Sequence, residues 1–234
     1  TYADLLADSE NNEIDAVVGV PHREILRKAR KEDVDMIIMG AHTRDEDVGA
    51  TRYRDVVGST MQKVAKAARC PLVIISRPCT TCWKLFSNIV VGVDFSKASD
   101  YAFLWAYKLA KIVGAKLHVF HALDVNFGSA GQVKVQPEIE RLIEKARKRI
   151  KSRLLTKLKG FDNYGVEVWE GIPYIEILKY SRQVNGDLIV MAHHTREIDP
   201  QEALLGSTVE QVVLRASCPV ASVNHPDKVA DIMA

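Results

Sequence analysis

Short apolar runs alternate with amphipathic stretches along most of the chain. Residues 88–94 (NIVVGVD) form a continuous β-branched run, the pattern of a strand buried on both faces. Ser96 or Ser99 can cap the stretch that follows, in which Ala102, Leu104, Trp105, Leu109 and Ile112 recur at helical spacing. Residues 116–122 (KLHVFHA) predict the next strand, followed by a loop carrying Gly128 and Gly131. Pro137 then opens a long helix, with Ile139, Leu142, Ile143, Ala146, Ile150, Leu154 and Leu158 along one stripe. The alternation continues as strand 166–169, helix 174–183, strand 187–192, helix 205–216 and strand 219–223. Strands alternating with helices call for an α/β domain. Right-handed crossovers then give a Rossmann-like open five-stranded parallel sheet with helices on both faces.

Half of this pattern occurs twice. Residues 19–44 align with 171–196 at an offset of 152. Gly19, Pro21, Glu24, Ile25, Leu26, Asp35, Ile37, Met39, His42, Thr43 and Arg44 all meet identical residues. At an offset of 148, Gly58-Ser59-Thr60, Val64, Ala68 and Cys70-Pro71 recur as Gly206-Ser207-Thr208, Val212, Ala216 and Cys218-Pro219. Two blocks in the same order, separated by a loop of changed length, establish a tandem duplication. The second copy has 84 residues between Ser87 and its Gly-x-Pro, and the first has 18 before its own. The chain is therefore expected to begin part-way through a domain. The first copy retains a predicted strand at 14–18, a helix from Pro21, a strand at 35–40, a helix from Gly58 and a strand at 72–76. The expected organisation is 1–78 as the back half of a first domain, 79–86 as linker, 87–225 as a complete second domain and 226–234 as tail. The last strands, 72–76 and 219–223, are the expected pairing edges about a pseudo-twofold axis, since an unpaired edge must be covered.

Composition narrows the class. With 47% hydrophobic and 26% charged residues the chain is ordinary for a globular protein and too apolar for a disordered one. A net charge of +2 gives no bulk argument for a nucleic-acid or membrane partner. The apolar runs fall far short of the ~20 residues of a membrane span, and the opening TYADLLADSENNE does not read as a secretory signal. A soluble, cytoplasmic protein is expected.

Open α/β sheets bind ligands beyond the carboxyl ends of their strands, where strand order reverses. In the second copy Asp94 ends one strand, His121-Ala122 ends the next, and AHHTREIDPQEALLGST follows the fourth and opens a helix at Gly206-Ser207-Thr208. A Gly-Ser-Thr at a helix start offers unpaired amides, hydroxyls and a positive dipole end, which suits phosphate. A carboxylate on a neighbouring strand end suits ribose hydroxyls.

The order GVDFS, LHVFHALD, GxP…EIL, DLIVMAHHTR, LLGST, CPV resembles the universal stress protein family, over residues 87–224 and again over 13–76. The resemblance implies a five-stranded domain that often binds ATP or AMP and dimerises through its last strand. It also implies a phosphate loop of the form Gly-x2-Gly-x9-Gly-Ser/Thr. Here the first copy reads Gly40-Ala41-His42-Thr43, fourteen residues, Gly58-Ser59; the second reads Ala192-His193-His194-Thr195, ten residues, Gly206-Ser207. Thr stands for the second glycine in both, placing a side chain where the backbone of binding members approaches phosphate. The implied nucleotide site comprises Val93, Asp94, Ala122, Met191, Ala192, Thr195, Arg196, Gly206, Ser207 and Thr208. The first copy's half-loop would be Gly40, Thr43, Arg44, Gly58, Ser59 and Thr60. Magnesium would arrive with ATP, and no dedicated metal site is expected.

Each feature has a structural counter-reading. Asp94 can cap the helix after it, and His-Thr-Arg can shape a loop. His121, His193 and His194 lack the partner spacing of a zinc site. Cys70 and Cys218 read as packed thiols, and Cys79-x-x-Cys82 as a linker pair able to form a disulfide. The nine Lys/Arg against three Glu in 138–159 read as a solvated helix face. With no nucleophile–base pair and no P-loop lysine, any ATP turnover should be slow. The sequence thus supports, as expectations, a stress-response module that senses an adenine nucleotide and forms a homo-oligomer. Its rivals are an interaction protein with degenerate loops and, from the same fold, a phosphoryl- or adenylyl-transfer enzyme.

Overall fold

The computed structural model describes residues 12–41, 58–76, 86–124, 135–192 and 207–229. In chain order these form α1 (Pro21–Lys31), β1 (Ile37–Gly40), α2 (Ser59–Ala67), β2 (Leu72–Ile75), β3 (Asn88–Gly92), α3 (Lys97–Val113), β4 (Lys116–Leu123), α4 (Gln136–Arg153), a 3-10 turn (Leu155–Lys157), β5 (Tyr164–Glu170), α5 (Pro173–Gln183), β6 (Leu188–Met191), α6 (Ser207–Arg215) and β7 (Val220–Ser222).

One sheet of seven strands runs β1-β2-β7-β6-β3-β4-β5. The second repeat supplies the five-strand block β7-β6-β3-β4-β5, parallel throughout. Its strand order reverses between β3 and β6, which is the switch point of a doubly wound sheet. β3 is buried on both faces: Ile89 and Val91 lie in one core with Phe103, Leu104, Leu117 and Val190, and Val90 lies in the other with Phe120, Ile177, Tyr180 and Ile189. This is why its sequence is an unbroken apolar run.

β2 and β7 join the two repeats, antiparallel, with Val73 opposite Ala221, Leu72 opposite Ser222 and Ile74 opposite Val220. Val73 and Ala221 are equivalent residues under the 148 offset. A local twofold axis therefore passes through that pair. The edge pairing that the resemblance assigns to dimerisation is made here within one chain.

The repeated Gly-x-Pro has a structural cause. Gly171 adopts φ +137 and its N–H donates to Leu123 O, after which Ile172 and Pro173 start α5. A Cβ on Gly171 would stand 2.8 Å from Glu176 Cγ, so glycine is required where the strand turns into the helix. The motif fixes a strand-to-helix turn.

Three local expectations are corrected. Residues 14–18 form no strand and are exposed. The equivalent β5 pairs with β4, whereas among the described residues 14–18 join no ladder. Ile112 is 72% exposed, on the solvent face of α3 rather than in its core stripe. The helix opened by Pro137 ends at Arg153, and Leu158 reaches the core from beyond a 3-10 turn.

Candidate functional site

The carboxyl edge of the second repeat gathers the ends of β3, β4 and β6 and the start of α6. Val93 continues β3, its N–H donating to Phe120 O at 2.9 Å. Asp94 follows, exposed to solvent. Its Oδ1 accepts from Ser96 N–H at 2.9 Å and its own N–H donates to Ser99 Oγ at 3.4 Å. Ser96 is the cap of α3, its hydroxyl accepting from Ser99 N–H at 3.0 Å. Asp94 thus shapes the turn without being the helix cap, and its carboxylate stands at the strand end. Between them Phe95 adopts φ +66, a left-handed conformation costly for an aromatic residue and characteristic of functional turns.

β4 runs past Ala122 to Leu123, so His121 and Ala122 are strand residues at the same edge. His121 Nδ1 donates to Val93 O at 2.7 Å, and its ring tilts against Phe95 with centroids 4.6 Å apart. Burial pushes the His121 imidazole below its usual range, against the opposing pull of the Val93 carbonyl and Asp94. Arg149 of α4 lies over the other side of the same turn, 4.3 Å from the Phe95 ring centroid. Sequence reasoning placed Arg149 only in a solvated basic run. One cation of that run in fact stands over the turn that carries Asp94, and helical spacing alone gave no way to select it.

Met191, buried, and Ala192, half-buried, end β6 beside β3, and Ser207 and Thr208 open α6 after the intervening loop. Gly92 leaves room for α5 to pack close on β3, since a Cβ there would stand 2.8 Å from Ile177 Cδ1. The expected phosphate residues Thr195, Arg196 and Gly206, with His193 and His194, lie outside the described residues. So do Thr43, Arg44 and the Cys79–Cys82 pair. Among the described residues no group of three or more His, Cys, Asp or Glu side chains could hold a metal ion.

The first repeat offers a different edge. Gly40 ends β1, and Gly58, Ser59 and Thr60 open α2, but Gly58 N–H donates to Ala41 O at 3.2 Å. That amide closes the loop on its own strand instead of facing a ligand. Of the two thiols among the described residues, Cys218 is buried, as expected, and burial pushes it up to about 11; Cys70 is half-buried and shifted the same way.

A sequence model described as the universal stress protein family matches residues 3–76 and 85–224. The chain belongs to that family. Universal stress protein MJ0531 of Methanocaldococcus jannaschii is 31% identical over 151 residues, covering 62% of this chain and 85% of that protein. MJ0577 of the same organism is 39% identical over 62 residues, covering 26% of this chain and 35% of that protein. Among solved structures, a universal stress protein from Archaeoglobus fulgidus superposes with a TM-score of 0.59 at 24% identity, over 88% of this chain and 66% of that one. This chain therefore spans about two-thirds of that relative. UspA from Lactobacillus plantarum matches at 28% identity and a TM-score of 0.50, over 60% of this chain and 99% of its own. No helix among the described residues is long and apolar enough to cross a membrane.

Proposed function

We propose that this universal stress protein binds one adenine nucleotide, ATP or AMP, at the carboxyl edge of its second repeat and acts as a nucleotide-responsive regulatory module. The observation that carries the reading is the exposed carboxylate of Asp94, at the end of β3 on one side of the β3/β6 switch point, with the start of α6 following β6 on the other. Asp94 would take the ribose hydroxyls. The amides at Gly206, Ser207 and Thr208 and the positive end of α6 would take the phosphates. Val93 and Ala122 would border the base, and Met191 and Ala192 the sugar-phosphate link. Thr195 and Arg196 would close the loop over the phosphates, and magnesium would enter as the counter-ion of ATP. No residue here is assigned to hydrolysis.

The first repeat carries an architectural role, because Gly58 N–H is already engaged by Ala41 O. Calorimetric titration with ATP and AMP tests the proposal. Saturable binding is expected, abolished by Gly206→Val and weakened at least tenfold by Asp94→Ala. Absence of binding in the folded chain would leave the architectural role for both repeats.

A further inference from the structure

The turn that carries Asp94 is built around a residue ill-suited to it. Phe95 takes φ +66, a left-handed conformation that glycine or asparagine adopts at far lower cost. Its ring is only half-buried, at the margin of the core, so packing alone is a weak cause for that backbone. Such a conformation persists where its surroundings over-determine it, and functional turns are where it is found.

Three elements supply those surroundings. From β4, His121 Nδ1 donates to Val93 O at 2.7 Å, and its ring centroid lies 4.6 Å from that of Phe95. At the start of α3, Ser99 Oγ accepts from the Asp94 N–H at 3.4 Å, and the Ser96 N–H donates to Asp94 Oδ1 at 2.9 Å. From α4, the exposed Arg149 guanidinium stands 4.3 Å from the Phe95 ring centroid. Its neighbours on α4 are engaged elsewhere: Arg147 pairs with Glu167 at 3.0 Å, Lys148 with Glu144 at 3.9 Å and Arg153 with Asp100 at 2.9 Å. Among the described residues Arg149 has no carboxylate partner; what it is seated on is the Phe95 ring. Burial keeps the His121 imidazole neutral at pH 7, so it packs against Phe95 without repelling the guanidinium.

We infer that Phe95 and Arg149 are positioning residues of the nucleotide site: the guanidinium, set over the ring, holds the left-handed turn closed and so fixes the Asp94 carboxylate at the end of β3 for the ribose hydroxyls. A cation over an aromatic face remains attractive at an exposed site. A carboxylate held in place binds hydroxyls more tightly than one that must be ordered on binding. Arg149 acts through Asp94 and touches no phosphate. The inference takes its ligand from the nucleotide reading above and rests on it to that extent, whereas the clamp belongs to the free chain.

The test uses the full chain and two ligands, ATP and 2′,3′-dideoxy-ATP, which keeps the phosphates and lacks the ribose hydroxyls. Arg149 is exposed, so its variants should fold. In calorimetric titration Arg149→Met should weaken ATP about tenfold, and Arg149→Lys, which keeps a cation for the ring, should stay within about threefold. Neither substitution should change the affinity for the dideoxy ligand. In the free chain, hydrogen exchange at the Ser96 amide should quicken about tenfold in Arg149→Met, while the Asn88 amide, bonded to Asp187 at the other end of β3, keeps its rate. Equal losses for the two ligands would make Arg149 a phosphate contact and overturn the inference, as would an unchanged affinity for ATP or an unchanged Ser96 exchange rate. No binding of either ligand by any form, with Ser96 exchange quickened, would refute the nucleotide reading and support the clamp.

Discussion

Ile38 and Val190 occupy the same position in the two repeats, yet one is 60% exposed and the other wholly buried. Asp35 and Asp187 are identical residues, yet one projects into solvent and the other anchors the start of a strand. The duplicated sequence therefore encodes one local structure in two energetic settings. Among the described residues, β3 and α3 lie alongside β6, and β1 pairs with β2.

The largest effects should come from the buried members of these pairs. Val190→Ala removes two methyl-sized groups from a packed core and should cost about 2–3 kcal/mol in urea unfolding, whereas Ile38→Ala should stay within about 0.5 kcal/mol. Equal losses would mean that the two strands are covered alike. Asp187→Ala leaves two strand-start amides without their acceptor and should cost about 1–2 kcal/mol, with Asp35→Ala near zero by the same assay. Ser96→Ala removes the cap of α3 and should cost about 1 kcal/mol. First-repeat helices offer no such target, because neither α1 nor α2 has a side-chain cap.

A pH effect of smaller size is expected from the second repeat. His118 is buried between Tyr180 and Asn88, and burial, then Lys116, push its pKa below the usual 6.5 while Asp187 opposes. The folded state thus favours the neutral ring, and the unfolded chain takes up more protons once pH falls below about 6.5. The contribution is complete above that pH and declines as pH falls towards the folded pKa; His121 shifts in the same direction. Unfolding measured at pH 7.5 and 5.5 should show lower stability at the acid end, with a smaller difference in His118→Gln. The smallest contrast is in thiol chemistry: half-buried Cys70 should be alkylated before buried Cys218.

Much of the fold was legible because burial on both faces leaves a period-free apolar run, as in residues 88–92, and because the repeat predicted the same order of elements twice. The pairing of β2 with β7 followed from the need to cover two edges. Residues 14–18 read as a strand by propensity, but a strand exists only with a neighbour, and among the described residues they join no ladder. Ile112 was misassigned because its spacing fits the stripe while its azimuth faces water. At the site, Asp94 was legible as a strand-end carboxylate. The ring-and-cation cluster of His121, Phe95 and Arg149 was not, because it is assembled from three elements far apart in sequence.

The stoichiometry of nucleotide binding tests the account most directly, because it turns the difference between the repeats into a number. Titration of the full chain with ATP should saturate at one nucleotide per chain, with Asp94→Ala removing that single event and Gly58→Val leaving it intact. Two equivalent sites per chain, or one site lost in Gly58→Val but retained in Asp94→Ala, would contradict it.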